Sequence, residues 1–498
     1  MNKIQEQSAA PAGRRALRMG VFTLAMINVS AIVSLRGLPA ESTYGLSSAF
    51  YYIFAAVFFL IPVSLVAAEL TTGWPEKGGV FRWVGEAFGP RLGFLAIWLQ
   101  WIQTTIWFPT VLTFAAVSIA FMGPNQSWDA ALSSNNVYVL CLVLLVYWLA
   151  TFLNFRGMRT SGSITKWGSL LGTVIPAALL VLMGMIYWGM GNPIDISMQA
   201  SDFVPDLSNF NNIVLAASIF LFYAGMEMSA VHVKDVENPG RNYPLAIGMA
   251  SVITVLIFVF GTLAIGFIIP KSQINLVQSL LVAYDKLFAY FGLGWLGPVM
   301  ALCLTFGVLA QVVAWVGGPS KGLLEVGRAG YLPRFMQYTN RNGVQVGILL
   351  IQGFIVTLLS IFFVVLPSVQ AAYQIISQLT IILYLIMYML MFASAIYLRY
   401  RDPDTPRTFR IPGGKVLGMW VIGGLGLLGS ALAFVFSFIP PGQISVGSPA
   451  MYVGILIVGA LIFTSIPFII YAKRRPEWGD SEAKAQFEPF SWEKQDKS

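Results

Sequence analysis

Charge is the scarcest commodity in this sequence. Only 10% of its 498 residues are Asp, Glu, Lys or Arg, against about 25% in an ordinary soluble domain. There is one histidine, His232, and there are two cysteines, Cys141 and Cys303, both inside apolar runs. That supply excludes a disulfide framework and gives no metal-ligand spacing. Paired carboxylates suited to hydrolysis are missing, and a Ser/His intramembrane enzyme would have to be built on His232 alone. No GxxxxGK[ST] loop is present for ATP. No ring of charges or repeated filter loop suggests a channel. Nothing in the chain asks for a cofactor.

What is abundant is apolar surface, at 57% of residues. About twelve windows reach the roughly 20 residues needed to cross a bilayer. They run over 18–39, 47–71, 91–122, 137–155, 165–190, 211–234, 243–269, 293–318, 345–367, 371–399, 416–439 and 450–472. The expected fold class is an all-α integral membrane protein in the lipid bilayer of the cell (inner) membrane. No small-residue cleavage pattern follows the basic N-terminus, so the first span is expected to stay.

The net charge of +8 is explained by where the basic residues fall, with no nucleic-acid partner. Arg14, Arg15 and Arg18 precede the first span, and Arg156 and Arg159 follow the fourth. Lys321, Arg328, Arg334 and Arg341 follow the eighth, Arg399 to Lys415 the tenth, and Lys473–Arg475 the twelfth. The alternate loops are nearly free of Lys and Arg, apart from Lys271 and Lys286. That asymmetry predicts both termini in the cytoplasm.

Two spans are interrupted. The first reads Asn28-Val29-Ser30-Ala31-Ile32-Val33-Ser34-Leu35-Arg36-Gly37-Leu38-Pro39, and the sixth reads Phe222-Tyr223-Ala224-Gly225-Met226-Glu227-Met228-Ser229. In hydrocarbon an unpaired main-chain group costs several kcal/mol, so such breaks survive where they line a cavity or hold a ligand. A pair of breaks five spans apart fits an inverted five-plus-five repeat with a midplane site. Three linkers are longer than turns. Val80–Phe88 reads as an amphipathic piece at the cytoplasmic interface, Ile274–Phe291 as an outer lid helix, and Gly318–Gln345 as a basic loop. The tail beyond Arg475 is polar and charged, and its expected state is disorder.

Ala67-Ala68-Glu69-Leu70, Gly78-Gly79-Val80-Phe81-Arg82-Trp83-Val84 and Gly225-Met226-Glu227-Met228-Ser229-Ala230 resemble the amino-acid/polyamine/organocation superfamily. So do Asn238-Pro239-Gly240-Arg241, Gly317-Gly318-Pro319-Ser320-Lys321 and Arg410-Ile411-Pro412-Gly413-Gly414-Lys415. The set looks most like the bacterial glutamate/GABA antiporters. The resemblance implies a LeuT-like fold and secondary active transport of an amino acid or its decarboxylated amine, by antiport or by proton symport. It divides the chain into a tail (1–17), a ten-helix core (18–400), accessory spans eleven and twelve (401–473) and a short tail (474–498). The chain departs from those antiporters in two places. Its tail is too short to be their long plug, and Arg36 puts a cation in the first break.

The residues expected at the substrate site are Ser30, Ile32, Val33, Ser34 and Arg36 from span one, with Phe222, Tyr223 and Gly225 from span six. Freed amides and serine hydroxyls suit a carboxylate, although serines in a helix also bond back to the preceding turn. Gly225 lets the second break open without a side-chain penalty, and aromatics beside it serve as wall or as packing. Trp315 matches by position a substrate-stacking tryptophan of related exchangers; Trp101 and Gln311 are weaker candidates. Glu227, a carboxylate near mid-membrane, is read as proton carrier or gate; the alternatives are a neutral structural acid or a partner for Arg36. Arg36 itself has two readings, facing the cavity or snorkelling to the outer boundary. Glu69 is expected to pair with a basic loop residue, Lys166 to anchor span five, and His232 to be structural or to sense pH. Oligomeric state is open.

Overall fold

A computed structural model of the protein describes residues 20–76, 78–123, 125–156, 167–168, 170–205, 214–227, 236–442, 445–481 and 488–495. Among these, ten helices are long and apolar enough to cross a bilayer. Spans two to five are Ser47–Gly73, Pro90–Ala120, Asn136–Phe155 and Leu170–Gly189. Spans seven to ten are Pro239–Ile268, Leu296–Tyr331, Val346–Val365 and Val369–Arg401; Leu417–Phe436 and Pro449–Ala472 are spans eleven and twelve. The broken spans one and six bring the crossings to twelve. Span three is the axis of the molecule and is almost wholly buried, whereas span twelve turns most of its apolar side chains outward. Exposed Leu182, Leu256, Val365 and Leu461 belong to that lipid-facing surface, where the solvent is hydrocarbon and an apolar exterior costs nothing.

Both interruptions are real. Span one is helical over Val21–Ile32, extended at Val33 and Ser34 (ψ near 117° and 118°), and coils again through Leu35–Gly37 into Leu38–Ser42. Pro39 stands in the first turn of that second half, where its missing N–H costs no helical bond. Span six is helical over Ser218–Tyr223, extends at Ala224, and turns at Gly225 with φ +110°. An L side chain resists that backbone angle, which is why glycine stands there.

Three expectations change. Span eight does not stop at Gly318: the helix continues through Pro319 to Tyr331, with the Ser320 hydroxyl donating to the Val316 carbonyl at 2.6 Å. Pro319 and Ser320 are buried and the Gly317 carbonyl accepts from Gln345 at 3.0 Å, while Gly318 is exposed, so the helix absorbs these breakers with only part of the stretch packed. The helix Val80–Phe88 does not lay an apolar face open to lipid as a surface piece would; nearly all of it is buried in the protein. Its charged residues pair internally, Arg82 with Glu86 at 2.6 Å, and Arg82 also donates to the carbonyls of Glu488 and Pro489. The described part of the tail is therefore ordered against it. Phe490 is 4% exposed, seated on Gly85 and Phe81, and the Ser491 hydroxyl donates to Glu86 at 2.6 Å. A polar composition gave no sign of this docking because main-chain carbonyls and one aromatic ring carry it.

Glu69 finds the basic partners expected of it. It pairs with Arg399 and Arg407 and accepts from the Ile411 amide at 2.8 Å, while Arg399 donates to the Ile411 and Lys415 carbonyls. The Arg410–Lys415 motif is thus a loop pinned to span two. On the opposite face, the lid helix is Ser279–Tyr290. Gln278 just before it donates to the Ser133 and Ser134 hydroxyls, and Tyr284 donates to the Pro176 carbonyl. Lys166 and His232 lie outside the described residues.

Candidate substrate-binding site

The two breaks face each other across one small cavity of about 40 Å³, room for a few waters. Span one contributes Ile32, Ser34 and Arg36, and span six Leu221, Phe222 and Ala224. Gln103, Thr104 and Trp107 enter from span three, Gln311 and Trp315 from span eight, and Tyr384 from span ten. The Phe222 ring, from helix Ser218–Tyr223, covers the cavity and lies against Gly37; a Cβ at that position would overlap the ring. Trp315 stands across the cavity from Gly225, whose own Cβ would come within 3.3 Å of the indole. Close approach of the two breaks therefore depends on these two glycines.

Arg36 is 5% exposed and lines the cavity, which removes the snorkelling reading. Its Nε and Nη1 have no hydrogen-bond partner among the described residues. The guanidinium lies over Trp107 at 4.8 Å and within 6.0 Å of Phe222. Cation–π contacts of this kind contribute about 0.5–2 kcal/mol, less than the several kcal/mol that a buried ion loses with its water. The cation is only partly compensated by the protein itself.

Glu227 is not its partner. Glu227 is 3% exposed; Oε1 accepts from Tyr384 at 2.6 Å and from Gln100 at 3.3 Å, and Oε2 accepts from Tyr388 at 2.5 Å. The Tyr388 oxygen also accepts from the Gly225 amide at 2.8 Å. The carboxyl is thus tied to the break itself and to span ten, one layer behind the cavity wall.

Of the other residues read from the sequence, Ile32, Ser34, Phe222, Trp315 and Gln311 meet at the cavity. Val33 faces the other way, into an apolar groove with Val29 between spans one, five and seven. Tyr223 is fully buried beside it, donating to the Tyr52 carbonyl and stacked on Phe258. Trp101 donates to Gln352 at 2.8 Å, away from the cavity. The Ser30 side chain lies outside the described residues. Sequence reasoning missed Gln100, Gln103, Thr104, Trp107, Tyr384 and Tyr388. The available signal was a run of amide and hydroxyl residues along one face of an otherwise apolar span three, and two tyrosines four apart in span ten.

Two broken helices around a shared polar cavity, inside a helical bundle with a lipid-facing exterior, define a membrane transporter of small molecules. The amino acid permease family profile matches residues 19–461. The chain belongs to that family. It is 40% identical over 460 residues to an uncharacterized transporter of Legionella pneumophila, covering 92% of this chain and 97% of that one. It is 32% identical over 462 residues to a glutamate/gamma-aminobutyrate antiporter of Lactococcus lactis, covering 91% and 90% respectively. A probable agmatine/putrescine antiporter of the same species is 24% identical over 456 residues, 90% of this chain and 94% of that one.

Proposed function

We propose that this transporter exchanges an acidic amino acid for its decarboxylated amine by alternating access, with its basic side and both termini in the cytoplasm. The observation that carries the reading is Arg36, a buried guanidinium facing the cavity with donors left unpaired. A substrate carboxylate is the group that completes it. An acidic amino acid and its decarboxylation product share a carboxylate and an ammonium, so one cavity accepts both. Similarity to a glutamate/gamma-aminobutyrate antiporter supports the same pair. Ser34 adds a hydroxyl beside Arg36, Trp315 and Phe222 cover the ligand, and the carbonyl end of the span-six half-helix receives the ammonium. Ser30, if its hydroxyl turns to the cavity, and Gly225 serve the same site through the backbone of the breaks. Glu227 takes or gives a proton as span six moves. The cavity is too small for an amino acid in the closed form described, which fits an occluded state that opens to load.

The test is flux of labelled glutamate and gamma-aminobutyrate in proteoliposomes of the full chain, with and without counter-substrate. Uptake is expected only when counter-substrate is inside. Arg36→Gln should lose affinity by roughly 30-fold or more, since removing one partner of a buried charge pair costs about 2–5 kcal/mol. Uptake driven by a proton gradient with empty vesicles would replace exchange by symport. An unchanged Arg36→Gln variant would remove Arg36 from the site.

A further inference from the structure

A second carboxyl is sealed inside the transport core, and the mechanism above does not use it. Glu41 sits in the outer half of span one, in the turn of helix Leu38–Ser42, and has no exposed surface. Its Oε1 meets the Ser218 hydroxyl at 2.6 Å, and its Oε2 is buried with no hydrogen-bond partner among the described residues. Ser218 opens the outer half of span six. This hydrogen bond therefore joins the outer halves of the two broken helices.

No cation balances the carboxyl: Glu41 forms no ion pair among the described residues. The titratable groups whose fields it shares are phenols: Tyr52 on span two, Tyr223 on span six and Tyr373 on span ten. None is free to neutralise it. Tyr52 is engaged with the Thr262 hydroxyl at 2.9 Å and Tyr223 with a main-chain carbonyl. Span seven and the lid helix also pack on this half-helix. Span seven brings Thr262 to this region, and on the lid helix Lys286 lies near the Ile268 carbonyl at 3.4 Å and Tyr284 donates to Pro176. An anion held here without a counter-charge is far costlier than a neutral acid with one loose hydroxyl. The 2.6 Å separation serves equally with Ser218 donating to a carboxylate or accepting from the acid.

We propose that Glu41 is a second proton-binding site, filled from the outer solution when the outer halves of spans one and six seal, and emptied when they part. On sealing, an O–H bond forms at the Glu41 carboxylate with a proton taken from water; on opening, hydration returns and that proton leaves to water. The proposal rests on the alternating-access reading, but it concerns a carboxyl that the substrate does not touch.

Two measurements on the full-length protein test it. The first is equal-concentration glutamate exchange in proteoliposomes, with inside pH fixed and outside pH varied. The wild type should slow as the outside turns alkaline, by up to about tenfold per pH unit for one obligatory proton. Glu41→Gln should keep exchanging with less than about twofold change over the same range, and Glu41→Asp should restore the slope. A Glu41→Gln variant with the wild-type slope overturns the proposal. The second is infrared difference spectroscopy of the protonated-carboxyl stretch on an acid-to-alkaline step, in a Glu227→Gln background so that the carboxyl at the span-six break is silent. A band lost on adding Glu41→Gln is expected, and coincident spectra overturn the proposal. Should glutamate and gamma-aminobutyrate not exchange in the wild type, the antiport reading fails, while the spectroscopic arm still decides Glu41.

Discussion

Replacing Tyr388 by phenylalanine isolates the oxygen that ties the span-six break to the bundle. The ring would stay, still edge-on to Phe59 at 4.9 Å and stacked on Tyr384 at 4.6 Å, so packing changes little. The oxygen holds two groups, the Gly225 amide at 2.8 Å and Glu227 Oε2 at 2.5 Å. A hydrogen bond to a charged acceptor contributes about 1.5–3 kcal/mol, and a buried donor left unpaired costs about 1–3 kcal/mol. The two losses share one atom and overlap, so the net cost should lie near 2–4 kcal/mol. Tyr384→Phe removes one donor from Oε1 and leaves Gln100 at 3.3 Å in place, for about 1–2 kcal/mol. If the break is part of the substrate site, these costs appear as weakened binding, roughly 30- to 700-fold for Tyr388→Phe and about 5- to 30-fold for Tyr384→Phe. The assay is the concentration dependence of glutamate exchange, with thermal inactivation in detergent as a check on folding. Equal affinities in wild type and Tyr388→Phe, or a larger loss in Tyr384→Phe, would refute the placement of Tyr388 as the post that holds the break open.

Gly37→Ala should impair transport more than stability: its Cβ would overlap the Phe222 ring, so the aromatic cover cannot seat, and the readout is a slower leak-free exchange rate with near-normal thermal inactivation. Phe490→Ala should free the tail without unfolding the spans. Truncating a buried phenylalanine costs about 3–5 kcal/mol, but a local segment can peel away for no more than its own docking energy, so faster amide exchange at residues 488–495 is the measurement. Burial, and then the charge of Asp129, raises the Asp285 carboxyl on the lid helix from 3.8 to about 6. The folded protein therefore holds that proton more tightly than the unfolded chain, and this contribution to stability is intact below 3.8 and lost as pH rises through about 6. Asp285→Asn should gain stability over the wild type only above that window, as read by thermal inactivation against pH.

Most of the architecture was legible because crossing a bilayer leaves a coarse, additive trace. Twenty apolar residues and a basic flank need no knowledge of neighbours, so the ends of spans four, seven, ten and twelve fall within a few residues of their expected positions. The breaks were legible for a related reason: Ser34, Gly37, Pro39 and Gly225 interrupt hydrocarbon-compatible helix, and local chemistry alone demands an explanation. Span eight shows the limit of that logic. Gly317-Gly318-Pro319 carries the same punctuation, yet the helix runs through it, because a breaker only lowers the local preference and tertiary bonds such as Gln345 to the Gly317 carbonyl can offset it.

What local chemistry could not supply is which polar group answers which. Tyr384 and Tyr388 look like packing in an apolar helix, and they become ligands only because span ten lies beside the span-six break. Val33 and Ser34 are adjacent in an extended stretch, so their side chains point to opposite sides; one meets the cavity and the other the apolar groove, a division fixed by neighbours and not by residue type. The charges make the same point most sharply. Glu69 and Glu86 answer arginines and hold loops in place, Glu227 answers phenols at the break, and Arg36 and Glu41 each keep polar atoms unanswered among the described residues. In a chain this poor in charge, a buried ion without a counter-ion is the costliest feature present. Two of opposite sign in one interrupted helix, one facing the cavity and one sealed above it, are best explained by ligands that come and go: a substrate carboxylate for the first and a proton for the second.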